Sequence, residues 1–204
     1  GSALATLLMG LRGTVFVYQG EELGSENGKF NSIEEYDDLN TKDQYRRALC
    51  AGYDEAQSLK FVNDRSRDNS RMPFPWTAEA NGGFTSGMPW LKCNDDYAAI
   101  CAKKQEQDKD SLLHYYRNLI RIRKDEANRE SLIYGEVREI QNALEFVIAF
   151  ERIAENGEKI QIWINMSDET QQADIAEGEI LCNNYSETSQ KSLNPYQAVM
   201  VRCR

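Results

Sequence analysis

The sequence predicts two architectures in series, an α/β front half and an antiparallel all-β rear half. Three observations carry this. Thr14-Val15-Phe16-Val17-Tyr18 is a strand-length apolar run with no polar alternation, which marks a strand buried on both faces. The strongest helical period, Ser111 to Arg123, follows only after a long excursion. After Asn128 the texture changes to short runs rich in Val, Ile and Phe between turn residues, the pattern of an antiparallel sheet module, read as a sandwich.

Taken in order, Ala3 to Leu11 is apolar and helical, and Gly13 is placed to stop it. It reads as the tail of a longer helix. The run Thr14 to Tyr18 then ends in Gln19-Gly20-Glu21-Glu22-Leu23-Gly24, where glycines and two carboxylates stand at a strand terminus. In parallel α/β barrels that is the end that carries the chemistry. Ser32-Ile33-Glu34-Glu35 has capping-box spacing for a short helix, and Thr41 to Gly52 and Tyr53 to Phe61 read as two more. From Asn63 to Tyr97 no period is sustained, so a long ordered loop is expected, a feature that is usually functional. Strands are expected at Leu132 to Ile140, Leu144 to Arg152, Lys159 to Asn165 and Ala198 to Cys203, with shorter ones at Asp174–Ile175 and Glu179 to Cys182. The boundary between the halves falls at residues 126 to 131, dividing the chain into 1–128 and 129–204. A lone parallel strand has nothing to pair with, so the front is either one and a half βα units of a barrel or is rebuilt in some other compact way.

Composition narrows the function. At 204 residues with 41% hydrophobic content, the chain can bury a real core. A net charge of −9, from 33 acidic against 24 basic residues, excludes a nucleic-acid partner, which would need a basic face. No apolar run is long enough to span a bilayer, and Gly1-Ser2 reads as a cloning remnant and not a signal peptide, so a cytoplasmic location is expected. Cys50, Cys93, Cys101, Cys182 and Cys203 show neither Cys-x-x-Cys spacing nor a histidine cluster, which points to free thiols in a reducing compartment, with no metal and no cofactor. The single histidine, His114, lies in a helical segment and reads as a helix residue, not a base.

The segment richest in chemistry is Ser66-Arg67-Asp68-Asn69-Ser70-Arg71-Met72-Pro73-Phe74-Pro75-Trp76, followed by Asn81-Gly82-Gly83-Phe84-Thr85 and Pro89-Trp90. Arginines, an aspartate and tryptophans are gathered where Pro and Gly forbid a helix, so these side chains serve something other than a helix core. The combination suits a sugar.

With Gly13-Thr14 through Gly24 and Tyr115 through Lys124, these motifs resemble the C-terminal part of glycoside hydrolase family 13, the α-amylase superfamily, in its oligo-1,6-glucosidase and α-glucosidase branch. The resemblance covers residues 3 to 151, and the remaining sheet looks like the family's C-terminal β-domain. It implies a (β/α)8 TIM barrel of which this chain holds the end of the seventh helix, the eighth strand, its loop and the eighth helix. It also places the family's catalytic carboxylates upstream of Gly1, so no catalytic residue is assigned here. Retaining hydrolysis needs two carboxyl groups about 5 Å apart, and the chain alone is expected to be inactive.

By the same resemblance, Arg71 matches the arginine that grips the non-reducing end of a glucosyl unit, for which a planar donor fork is suited. Arg67 and Asp68 divide between sugar contact and loop scaffold, as does Glu22; Phe84 is a candidate platform for a sugar face. Trp76 and Trp90 read mainly as loop-packing anchors. Val15 stands where Pro is usual, Ser25 where Met is common, and Phe74-Pro75 where Met-Gln is common, so linkage specificity stays open. The implied parent is an exo-acting α-glucosidase taking α-glucosyl oligosaccharides with α-1,6 or α-1,4 bonds. Alternatives are a trehalose-6-phosphate hydrolase, a sucrose isomerase, or a non-catalytic scaffold of the same superfamily. Unpaired edges at Thr14 to Tyr18 also imply self-association of the truncated barrel.

Overall fold

The alternation of the rear half becomes a sheet in the computed structural model, which describes residues 1–141 and 144–204. The chain divides into two compact units, Gly1–Phe16 with His114–Arg204, and Val17–Leu113.

In the first unit the strands are β1 (Glu136–Glu139), β2 (Val147–Ile153), β3 (Lys159–Asn165), β4 (Gln171–Gln172), β5 (Gly178–Asn183), β6 (Ser192–Leu193) and β7 (Ala198–Cys203). Five of them form an antiparallel sheet in the order β1-β2-β3-β7-β5, and β4 pairs with β6 separately. The expected strands at Lys159 to Asn165 and Ala198 to Cys203 are found as read. β3 lies in mid-sheet and is buried on both faces. Trp163 pairs with Ala149 and Val199, and these join Val147, Ile175, Leu193 and Val201 in one apolar cluster. Ile160, Ile162 and Ile164 fill the opposite face. Helix α1 (Ser2–Gly10) buries its small residues, and a Cβ at Gly10 would meet Phe150 and Ile162 at 3.1 and 3.2 Å, so a small residue permits the close approach to the sheet.

Two expectations for this region are corrected. The strand expected from Leu132 shrinks to β1, because Glu130–Tyr134 forms a π-helical turn in which Leu132 is fully buried. The turn stops at Gly135, where a Cβ would lie 2.4 Å from the Ser131 carbonyl oxygen. The run Thr14 to Tyr18 joins no ladder among the described residues, and Phe16 is 82% exposed. An apolar run becomes a buried strand only when neighbours satisfy its main chain, and no strand among the described residues pairs with it.

Two buried arginines close the end of α1. Arg152, fully buried, donates from Nη1 to the carbonyls of Gly10 and Leu132, both at 2.7 Å, and from Nη2 to Gly135 at 2.9 Å. Arg123 donates to the carbonyls of Met9, Leu11 and Gly13. The end of a helix carries partial negative charge, which favours cations there. Burial, with Arg123 and Arg12 nearby, lowers the Arg152 pKa to about 10, leaving it charged at neutral pH.

The second unit has no strand among its described residues. Its helices are α2 (Leu39–Cys50), α3 (Glu55–Asn63) and α4 (Ala102–Gln107), joined by 3-10 turns at Glu21–Leu23, Ile33–Glu35, Arg67–Ser70 and Ala80–Gly83. The helix α5 (Leu112–Lys124) begins as this unit ends. Phe30, Tyr36, Val62 and Met72 form its apolar cluster. The capping box expected at Ser32 is absent, since Ser32 makes no side-chain cap; one is formed instead by Asp54 and Gln57 at the start of α3. The long excursion from Asn63 to Tyr97 is indeed free of α-helix beyond the end of α3, and of strand.

Candidate functional site

The loop after Tyr18 is a single 3-10 turn bracketed by two left-handed glycines, Gly20 at φ 93° and Gly24 at φ 71°, a conformation that glycine adopts without strain. Glu22 folds back within it, its Oε2 accepting the Gly20 N–H at 2.8 Å. Gln19 reaches the Ser70 carbonyl at 3.4 Å, which brings this loop beside the Arg67–Ser70 turn.

That turn opens at Ser66, whose Oγ accepts the Asp68 N–H at 3.2 Å. Asp68 is fully buried, and its Oδ2 accepts the N–H groups of Asp37 and Asp38, each at 2.8 Å. Its Oδ1 lies 3.5 Å from Arg71 Nη1. Arg67 turns to a different carboxylate. Its Nη2 is 2.5 Å from Asp38 Oδ1 and its Nε 3.3 Å from Oδ2, a two-pronged grip. Thr41 Oγ1 lies 2.9 Å from Asp38 Oδ2 and 2.8 Å from Ser66 Oγ, tying the start of α2 to the turn. Asn69 donates to the Asn63 carbonyl and accepts the Gly28 N–H.

The electrostatics follow. The Arg67 hydrogen bonds, aided by Thr41 and opposed by burial, hold the Asp38 carboxyl down at about 2. Burial, then the charge of Asp68, pushes the Tyr36 phenol up to about 12; its hydroxyl donates to Asn63 Oδ1. Arg71 has a side chain 36% exposed and, among the described residues, only the one long contact to Asp68. A guanidinium has five N–H donors, so most of Arg71's have no partner among the described residues.

The structure therefore gathers Arg67, Asp68 and Arg71 into one network, with Glu22 on the neighbouring loop. Phe84 stands apart on the loop after Ala80–Gly83, 52% exposed, where Asn81 donates to the carbonyls of Thr85 and Gly87. Trp76 and Trp90 are 54% and 65% exposed, so neither is the packed anchor the sequence suggested; Trp76 touches Phe74, ring centres 4.6 Å apart. A cavity of about 40 Å³ between the two loops, lined by Gln19, Ser25, Asn69, Asn94 and Asp96, has room for little more than a water. Burial and the neighbouring Glu26 raise the pKa of Asp96 there. Among the described residues no group of three or more His, Cys, Asp or Glu side chains could hold a metal ion, and no helix is long and apolar enough to cross a membrane.

Sequence reasoning missed Asp38 and Thr41. The Asp-x-x-Thr spacing ahead of an amphipathic stretch is an N-cap pattern that could have revealed both.

Residues 1–135 match the alpha-amylase catalytic domain, and the chain belongs to that family. The oligo-1,6-glucosidase of Halalkalibacterium halodurans is 34% identical over 96% of this chain and 36% of its own length. The trehalose-6-phosphate hydrolase of Escherichia coli K12 is 32% identical over 96% of the chain and 36% of its own. The crystal structure of isomaltulose synthase from Klebsiella sp. LX3 superposes with a TM-score of 0.90 at 31% identity, covering all of this chain and 38% of that one. The chain thus spans little more than a third of the length of these relatives.

Proposed function

We propose that this chain is the C-terminal portion of a retaining, exo-acting α-glucosidase that hydrolyses α-1,6 or α-1,4 bonds of short α-glucosyl oligosaccharides in the cytoplasm. Residues 1–128 are the last part of its (β/α)8 barrel with the substrate-facing loop, and residues 129–204 are its antiparallel C-terminal β-domain, the five-stranded and two-stranded sheets enclosing a sandwich core. The carboxylates that attack and protonate the glycosidic bond belong to the rest of the protein, so the isolated chain is inactive and its unpaired Thr14 to Tyr18 edge favours self-association.

The observation that carries this reading is the contrast between two arginines four residues apart. Arg67 is spent on Asp38, while Arg71 keeps most of its donors for a ligand. A scaffold has no need of a guanidinium whose donors are mostly uncommitted, held on a buried carboxylate. In this reading Arg71 grips the glucosyl hydroxyls, Phe84 offers a ring face, and Arg67, Asp68 and Glu22 complete the substrate-binding loop. The oligo-1,6-glucosidase relative supports the glucosidase assignment. The trehalose-6-phosphate hydrolase and isomaltulose synthase likenesses keep those chemistries as the second reading.

The test is release of p-nitrophenol from an aryl α-glucoside by the full-length protein and by this chain. Activity in the full-length protein alone supports the proposal. Activity in the isolated chain refutes the placement of the carboxylates, and activity in neither turns the assignment to a scaffold or another glycone.

A further inference from the structure

We infer that Asp68 is the positioning residue for Arg71: a carboxylate that never meets the sugar but fixes where the sugar-gripping guanidinium stands. The inference rests on the reading of Arg71 as a glucosyl ligand. Asp68 is fully buried, so a ligand cannot reach it. Its orientation is set by the main chain, because Oδ2 takes the N–H groups of Asp37 and Asp38 at 2.8 Å and leaves Oδ1 toward Arg71 Nη1. A buried carboxylate is compensated by hydrogen bonds to its charged form and by a cation. Arg71 is the only one within ion-pair distance of Asp68 among the described residues.

The second arginine of the motif explains why Arg71 keeps that post. Arg67 neighbours Asp68 in sequence and feels its charge, but its side-chain hydrogen bonds go to Asp38. Each arginine has its own aspartate, and Asp38 serves the site by occupying Arg67. An asparagine at 68 would keep the shape and the main-chain bonds of one oxygen. It would then present an amide N–H to the guanidinium, donor against donor, and Arg71 would swing off its post.

A double-mutant cycle in the full-length protein, read as kcat/KM on an aryl α-glucoside, tests this. Asp68→Asn is expected to lower kcat/KM about tenfold, and to add nothing in an Arg71→Gln background, because the two act as one unit. If the two losses multiply, or if Arg71→Gln lowers kcat/KM while Asp68→Asn leaves it unchanged, Asp68 does not act through Arg71 and the inference is wrong. If Arg71→Gln itself has no effect, Arg71 is not a ligand, and the inference falls with that reading of Arg71 while the glucosidase activity being measured stands. Should Asp68→Asn not fold, Asp68→Glu displaces the same charge by one methylene and is read in the same cycle, with the same two outcomes.

Discussion

The sheet-bearing unit and the Val17–Leu113 unit are held together by different means. In the former, β3 lies in mid-sheet with apolar side chains buried on both faces, and the ladders fix its main chain. In the latter, the apolar cluster is four buried residues, and the path of the chain is set by Asp38, Asp54, Ser66, Asp68 and Asn69 bonding main-chain groups. The first should therefore be sensitive to lost volume, and the second to lost polar atoms and to pH.

The sharpest way to break that contrast is Trp163→Ala, which empties the centre of the larger cluster and should cost about 3–5 kcal/mol in denaturant unfolding followed by far-ultraviolet circular dichroism. A loss below about 1 kcal/mol would mean the sheet does not depend on its core. Arg152→Met follows. It keeps apolar bulk but strands three carbonyls, and a loss of about 3 kcal/mol is expected in the same measurement, since breaking a buried charge-assisted set is costly. The polar unit is probed by acid. Asp38 falls from its ordinary 3.8 to about 2 on folding, so its contribution is complete above pH 4 and is lost as pH drops from about 4 to about 2. Asp38→Asn should remove that acid-limb loss while lowering stability at neutral pH, and an unchanged acid limb would show that Arg67 does not hold the carboxylate. The smallest effect is expected from Asp54→Ala, about 1 kcal/mol through the lost α3 capping box.

The same contrast decides what could be read from sequence. β3 and β7 were legible because their apolar runs lie between clear turn residues and their burial is local to one sheet. Thr14 to Tyr18 is strand-like in sequence but joins no ladder among the described residues, because apolar character specifies a strand only where partners exist. Helix α4 was missed because Ala102–Gln107 buries no residue, and so shows no apolar period. In the motif, residue types pointed to the segment where Arg67, Asp68 and Arg71 come together, and the division of labour between Arg67 and Arg71 did not show. It depends on Asp38, which is 29 residues from Arg67 in sequence and adjacent only after folding.

Arg152 carries a consequence for how such a chain diversifies. Its three acceptors are peptide oxygens, supplied by the main chain at positions 10, 132 and 135 and not by any side chain. No substitution that keeps the path of the main chain can delete the partner, and none can compensate for losing the arginine. Related sequences should therefore hold position 152 fixed without any second position changing in step, and a search for paired changes would pass over one of the most deeply buried charges in the molecule.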